Sequence, residues 1–131
     1  MVTDGLEVLV GMTYRPRLGP VISLGAGGVL VELLKRPSFR IVPVTVEDVQ
    51  DMLLESGLTP LLEGYRGQKS RDVSKLIDVV LAVSRMSLDV QGIREIELNP
   101  VMVRLDGQGV MPVDSLMVMQ DDPTLIDMLE L

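Results

Sequence analysis

Four oxygen-bearing side chains in the last third of the chain are the main candidates for chemistry. Glu95, Glu97 and Asn99 occupy alternate positions of the segment EIELNP, so their side chains share one face if this segment is a strand. Asp114 follows a glycine turn, and we expect a hairpin to return it beside Asn99. Carboxylate and amide oxygens suit Mg²⁺, which binds one or two protein groups together with waters and substrate phosphates. The same pattern also fits a solvated polar face of an edge strand.

Other candidate positions allow two interpretations each. The glycines of the run GAGG could present N–H groups to a phosphate, but the spacing is not GxGxxG and no P-loop lysine follows, so a hairpin turn is the commoner explanation. Glu32 either faces water or holds a basic partner. The sequence also has two basic clusters. Each cluster either binds a phosphate or carboxylate group or only balances the surface charge. The first consists of Lys35, Arg36 and Arg40, and the second of Arg66, Lys69 and Arg71.

Composition excludes several classes of function. The 131 residues include 12 Lys and Arg against 19 Asp and Glu, a net charge of −7, which disfavours nucleic acid as a partner. With no Cys and no His, the chain lacks a thiolate nucleophile, a histidine base and an imidazole metal ligand. The longest uncharged stretch, 18–31, is broken by Pro20 and is too short to span a bilayer, so no membrane segment is predicted. These features suit a cytoplasmic protein.

Hydrophobic periodicity predicts an α+β domain with a mostly antiparallel sheet and two main helices on one face. Thr45 is expected to cap the first helix, which ends near Gly57, and a second helix covers about 71–89. The segment 58–69 is expected to be irregular. Asp106-Gly107 predicts a hairpin. Predicted strands are 6–14, 21–25, 29–34, 39–44, 93–99, 100–105 and 109–118, and 121–131 is an acidic tail or short helix.

The residues Glu97-Leu98-Asn99-Pro100, followed by an aliphatic strand, a glycine turn and Pro112-Val113-Asp114, resemble the end of an ATP-grasp domain. The resemblance is to ADP-forming acyl-CoA synthetases, which include acetate–CoA ligases and the β subunit of succinyl-CoA synthetase. Further segments are similar to that family in the same order, namely GLEVLVGM, RPRLGPVISLGAGGVLVELLK, SFRIVPVT and LLEGYRG. It implies a C-terminal ATP-grasp subdomain over residues 1–120, without the upstream half of the module.

In that family the ATP-grasp part exchanges phosphate between a nucleotide and a histidine of another domain or subunit. Carried over by position, the resemblance implies that Asn99 and Asp114 bind Mg²⁺ and that Glu97 receives and orients the phosphohistidine loop. It implies ATP or ADP as ligand, bound only together with the missing upstream half. It also implies a partner domain or subunit that carries the CoA site and the phosphohistidine. We therefore expect a fragment of an ADP-forming ligase that is not competent alone.

Three departures from the family pattern support an alternative function. Arg15 stands where the family tends to have Asp, Leu18 where it has Phe, and Leu116 where it has Arg. The alternative is a non-catalytic regulatory or assembly module, as in multidomain lysine acetyltransferases with a synthetase-like part. A mean hydropathy of +0.34 also makes exposed apolar patches and homo-oligomers an expectation.

Overall fold

A computed structural model describes residues 5–28, 36–64, 67 and 69–119. Six strands form one sheet: β1 (Leu6–Arg15), β2 (Gly19–Ala26), β3 (Ser38–Ile41), β4 (Ile93–Val103), β5 (Val110–Pro112) and β6 (Ser115–Met119). Within these ranges three helices occur: α1 (Val46–Glu55), the short α2 (Thr59–Leu62) and α3 (Val73–Asp89). The predicted strand 29–34 and the predicted tail 121–131 lie outside the described residues.

The sheet has the strand order β3-β2-β1-β4-β5, and β6 also pairs with β4. Every strand pair among the described residues is antiparallel. β5 and β6 lie end to end along the same long strand: β5 pairs with positions 101–103 and β6 with 93–98. β2, β1 and β4 are therefore the inner strands, and each is hydrogen-bonded on both sides.

One face of the sheet packs on the helices. Alternate side chains of β1 (Val8, Val10 and Met12) are at most 1% exposed, which is the period of two expected for a half-buried strand. Helix α3 contacts β1, β2 and β4, and α1 contacts β2 and β3. The core is aliphatic with methionine as filler, because the chain has only three aromatic residues. Its largest fully buried side chains are Met12, Ile22, Leu24, Met52, Leu58, Leu62 and Leu76. These features confirm the predicted α+β class with helices on one face.

Local capping fixes where the two long helices begin. Thr45 caps α1 as predicted, and a capping box forms because Asp48 N–H donates to Thr45 Oγ1 (3.2 Å) while Asp48 Oδ2 accepts from Thr45 N–H (2.9 Å). Asp72 caps α3 by accepting from the N–H of Lys75 at 3.3 Å. The second Asp72 oxygen accepts from the N–H of Gly109 at 2.8 Å. Asp72 thus ties the start of α3 to the hairpin between β4 and β5.

An ion pair joins the edge strand β3 to α1. The Arg40 guanidinium binds the Glu55 carboxylate through both oxygens, and the Ser38 hydroxyl donates to Glu55 Oε2 at 2.6 Å. Hydrogen bonds from Arg40, and then from Ser38, lower the pKa of Glu55 to about 2. The same partner raises the pKa of Arg40.

Several predicted element boundaries are wrong. Pro100 does not separate two strands, because β4 runs continuously through it. Between the pairs Val8–Val101 and Val10–Leu98, β4 carries one residue more than β1, so β4 accommodates Asn99 and Pro100 as a bulge. The predicted strand 109–118 is instead two strands, β5 and β6, with a step between them. The segment 58–69, which was expected to be irregular, contains the short helix α2. Pro60 lies in the first turn of this helix, where proline is well tolerated. Within the described part of the chain, no helix combines the length and apolarity needed to cross a membrane.

Replacing Asp72 by alanine is expected to lower the free energy of unfolding by about 2 kcal/mol, because it removes a helix cap and leaves the Gly109 N–H without its acceptor. The side chain is 4% exposed, so water cannot substitute fully. Urea denaturation of the whole chain measures this loss. Asp78→Ala is the matched control on the exposed face of α3, where the carboxylate only approaches Lys75 at 4.0 Å, and its expected change is below about 0.5 kcal/mol. Equal effects of the two variants would contradict the role assigned to Asp72.

The Glu55 pair gives stability a defined pH dependence. Because the folded-state pKa of Glu55 lies below its ordinary value of 4.5, its contribution is present above pH 4.5 and is lost as pH falls through about 2. The melting temperature of the wild-type chain should exceed that of Glu55→Gln at pH 6, and the gap should close between pH 4.5 and 2. Circular dichroism melts of both proteins across this range provide the measurement. A gap that stays constant down to pH 2 would contradict the ion-pair assignment.

Candidate functional site

The sheet face that the helices leave uncovered carries the predicted site residues. On β4, Ile96 is buried in the core, whereas Glu95 and Glu97 on either side of it are half-buried on the opposite face. We call this opposite face the open face. Across the strands, Glu97 pairs with Gly11 of β1 on one side and with Leu116 of β6 on the other. Glu97 therefore lies near the middle of the open face rather than at an edge strand.

The step between β5 and β6 brings Asp114 beside Asn99. The N–H of Asn99 donates to the carbonyl of Asp114 at 3.1 Å, and the N–H of Val113 donates to the carbonyl of Pro100 at 2.9 Å. The two polar residues thus meet through the main chain at neighbouring strands, which confirms the predicted juxtaposition. Asp114 is exposed, and one of its oxygens accepts from the N–H of Ser115 at 2.9 Å.

Asn99 also contacts Glu97. Its Nδ2 lies 3.4 Å from Glu97 Oε1, a long hydrogen bond between side chains two residues apart on one face. This orientation of the amide is the one that satisfies the hydrogen bond, and it leaves the Asn99 carbonyl oxygen free to bind another group. The side chains of Glu97 and Asn99 thus contact each other, and Asp114 is joined to Asn99 through the main chain; we call these three residues the acidic row.

The acidic row suits a cation that receives most of its ligands from water and from another molecule. No group of three or more His, Cys, Asp or Glu side chains suited to a metal occurs in the part of the chain that the structure describes. An amide oxygen and a carboxylate oxygen are nevertheless hard ligands, and Mg²⁺ commonly takes one or two such groups and completes its octahedron with waters and phosphate oxygens. These ligands suit a Mg²⁺ ion that also binds a phosphorylated ligand. They do not suit a metal site made of protein groups alone.

The described members of the two basic clusters do not gather into a phosphate site. Arg40 lies on the helix side of β3, where its guanidinium is already paired with Glu55. Arg71 is half-buried and donates to the carbonyl of Val103 at 3.4 Å, while Arg36 and Lys69 are exposed. The remaining members of the clusters, Lys35 and Arg66, lie outside the described residues, as does Glu32.

The glycine run differs from the predicted turn. Gly25 and Ala26 belong to β2, where they pair with Leu9 and Val8. The N–H of Gly27 then donates to the carbonyl of Glu7 at 2.9 Å. The start of the run therefore extends the sheet, and the residues that follow Gly28 lie outside the described part.

Sequence reasoning missed a feature of β1 next to Glu97. Gly11 lies on the open face between Ser23 of β2 and Glu97 of β4, its two cross-strand partners, and the Ser23 hydroxyl occupies the space that a side chain at Gly11 would need. A Cβ at Gly11 would lie 2.9 Å from Ser23 Oγ. The signal was present, because a glycine inside a strand pattern often marks close approach of another group.

Comparison with known proteins gives a consistent result. A sequence model of the ATP-grasp domain matches residues 1–119. The β subunit of ADP-forming acetate–CoA ligase II from Pyrococcus furiosus is 38% identical over 121 residues, which are 92% of this chain and 51% of that subunit. ADP-forming acetate–CoA ligase I from Archaeoglobus fulgidus is 43% identical over 122 residues, which are 93% of this chain and 18% of that protein.

Solved structures show the same relationship. The chain matches dinucleotide-forming acetyl-coenzyme A synthetase 1 of Candidatus Korarchaeum cryptofilum, solved with coenzyme A and Mg-AMPPCP, with a TM-score of 0.82 and 31% identity over 92% of this chain and 55% of that one. A Pyrococcus horikoshii protein matches with a TM-score of 0.84 and 36% identity over 93% of this chain and 52% of that one. The chain thus spans about half the length of the P. furiosus relative and less than a fifth of the A. fulgidus one. Its fold, the match over residues 1–119 and these similarities show that the chain belongs to the ATP-grasp domain family, in the branch of the ADP-forming acyl-CoA synthetases.

Proposed function

We propose that this chain is the C-terminal part of the ATP-grasp module of an ADP-forming acyl-CoA synthetase and that it binds the Mg²⁺-bound phosphates of ATP or ADP. In this proposal it supports phosphate exchange between the nucleotide and a phosphohistidine carried by another domain or subunit. The observation that carries the proposal is the acidic row: Asn99 and Asp114 meet at the step between β5 and β6, with Glu97 beside them on the open face.

Phosphoryl transfer needs positioning and charge neutralisation more than covalent help from the protein. A bound Mg²⁺ would supply that neutralisation at the phosphate oxygens. The chain contributes the Asn99 amide oxygen and the Asp114 carboxylate as ligands on a rigid main-chain junction. A rigid junction suits this task, because ligands that are already oriented lose little entropy on binding.

Glu97 has a different task in the proposal. Its carboxylate accepts a hydrogen bond from an imidazole N–H and so orients the ring of the incoming phosphohistidine. Asn99 Nδ2 holds Glu97 Oε1 from one side, which leaves the second carboxylate oxygen for the ring. One amide therefore serves both neighbours, with its nitrogen toward Glu97 and its oxygen toward the cation.

In this proposal, the other sites that the reaction needs lie on partner domains or subunits. The matched relatives are longer, and one of them is named as a β subunit. We place the purine pocket on the upstream half of the module, and the CoA site and the phosphohistidine on a partner domain or subunit. The chain has no histidine of its own, so the imidazole must come from a partner. We propose a cytoplasmic setting, since no cysteine is present to form a disulfide.

A second candidate is a non-catalytic regulatory or assembly module, and one observation favours it. Leu116 pairs with Glu97 across β4 and β6 and is 51% exposed, at the position where the family pattern has Arg. An arginine there would place a positive charge beside the carboxylate and the phosphates. Chain context separates the two candidates: a phosphohistidine domain beside this sequence favours the ligase, and an acetyltransferase domain favours regulation.

Calorimetric titration of Mg²⁺·ADP into the chain assembled with the upstream half of the module, and into the same assembly carrying Asn99→Ala/Asp114→Ala, tests the metal assignment. We expect binding by the wild-type assembly and a clear loss of affinity in the double variant, because both protein ligands of the cation are removed. Asp106→Asn is the matched control, since this exposed carboxylate lies in the turn between β4 and β5. The affinity of this variant for Mg²⁺·ADP should equal that of the wild type.

In a preparation that supplies the upstream half and the phosphohistidine domain, each single variant should lower phosphoryl transfer by about 100-fold or more, the range for loss of a preorganised electrostatic group. Rapid-quench assays of phosphohistidine formation provide that measurement. Wild-type turnover from Asn99→Ala or Asp114→Ala would overturn the assignment of the metal site.

A further inference from the structure

The side of β6 that faces the helix layer is only partly covered. Met117 and Met119 are the direct cross-strand partners of Ile96 and Ile93 on β4, so the side chains of each pair lie on the same face of the sheet. The two isoleucines are 5% and 6% exposed, whereas both methionines are 48% exposed. The main contacts of α3 with the sheet are to β1, β2 and β4, and those of α1 are to β2 and β3. The cover that these helices provide therefore thins out beyond β4.

The end of α3 adds two exposed apolar side chains at the same place. A Cβ at Gly92, in the link from α3 to β4, would lie 3.7 Å from Met119 Cε, so this link lies beside β6. Val90 precedes Gly92 by two residues, and Met86 lies one helical turn earlier, since its carbonyl accepts from the N–H of Val90 at 3.0 Å. Both side chains are exposed. We call Met86, Val90, Met117 and Met119 the flank patch.

The segment that follows β6 has the pattern of a short amphipathic helix. The sequence continues past Met119 for twelve residues, which lie outside the described part of the chain. Asp122 followed by Pro123 is typical of the cap and the first position of a helix. At helical spacing, one side of 123–131 would be polar, and the other side would carry Leu125, Ile126, Met128 and Leu129.

The length of this segment suits the flank patch. A helix of nine residues is marginal in water by itself, so it needs an apolar surface on which to pack. Such a helix is about 14 Å long at about 1.5 Å per residue, and the five residues of β6 span about 17 Å. Residues 120–122 are enough to reverse the chain direction, because short connections commonly join neighbouring antiparallel elements. The flank patch therefore lies within reach of a helix that runs back along β6.

We propose that the flank patch is the docking surface for segment 123–131 of the same chain, which packs on it as an amphipathic helix antiparallel to β6. Leu125, Met128 and Leu129 contact the flank patch, and Asp127 and Glu130 face water. The patch lies on the face of the sheet opposite to the acidic row, so this inference is independent of the proposed function. The family match ends at residue 119, and the docked segment is thus a feature of this chain beyond the matched domain.

A single spin label on the segment tests the docking in the full chain. Because the chain has no cysteine, Glu130→Cys provides one attachment site for a nitroxide on the polar side of the segment. We expect the label to broaden the methyl resonances of the three methionines of the flank patch strongly. The methyl resonances of Leu116 and Val118, on the other face of β6, should be broadened much less. A segment that does not dock would affect both faces alike.

A double variant removes the apolar side of the segment. Leu125→Asp/Leu129→Asp in the labelled chain should abolish the selective broadening, whereas Asp127→Asn, on the polar side, is the matched control and should retain it.

Oxidation by hydrogen peroxide, followed by peptide mass spectrometry, gives a second readout that needs no label. Met117 and Met119 should be oxidised at least about threefold faster in Leu125→Asp/Leu129→Asp than in the wild type, since oxidation of methionine follows its exposure. The rate at Met111 on β5 should not change.

Equal broadening on the two faces of β6 in the otherwise wild-type chain would overturn the proposal, and this measurement does not depend on whether the double variant folds. Selective broadening that persists in a folded double variant would also overturn it. A mixture of spin-labelled chains and isotope-enriched chains without the label detects contact between copies. Broadening of the flank patch in that mixture would mean that the segment docks on a second copy, which contradicts docking within one chain.

Discussion

The register of β1 between β2 and β4 is the constraint on which the candidate site depends. β1 is hydrogen-bonded on both sides, and burial of Val8, Val10 and Met12 against the helices fixes which of its faces points inward. A slip of one residue would turn these three side chains outward and move Gly11 into the core. The hydrophobic free energy that holds the core together therefore also holds Gly11 level with Ser23 and Glu97, although none of these three belongs to the core.

The step between β5 and β6 allows polar residues to lie at the junction of two strands without leaving main-chain groups unpaired. The Asn99 N–H and the Pro100 carbonyl find partners in Asp114 and Val113, so the ladder continues across the step. Because these main-chain groups are paired with each other, the Asn99 amide oxygen and the second Asp114 carboxylate oxygen remain available for a ligand. In the acidic row, main-chain hydrogen bonds therefore hold the strands together, while side-chain oxygens remain available for a ligand.

Much of this arrangement could be predicted from the sequence, because it depends on local signals. Period-two and period-3.6 patterns located β1, α1 and α3, and the cap at Thr45 is a local motif. The errors occur where tertiary pairing overrides a local signal. Proline commonly ends a strand, yet β4 continues through Pro100 because it takes up one extra residue as a bulge opposite β1. The close approach of Ser23 to Gly11 depends on which residues lie on the neighbouring strands, and one sequence read alone contains no register.

Electrostatics explains why the site would require a cation and not merely tolerate one. The chain carries a net charge of −7, and Glu95, Glu97 and Asp114 lie on or beside the open face where the nucleotide phosphates would bind. Leu116, opposite Glu97, adds no positive charge. Two like charges at 4 Å repel by about 1 kcal/mol in water and more where water is excluded. In the proposed function, a divalent ion held by Asn99 and Asp114 would turn that repulsion into attraction, so metal binding and phosphate binding would be coupled.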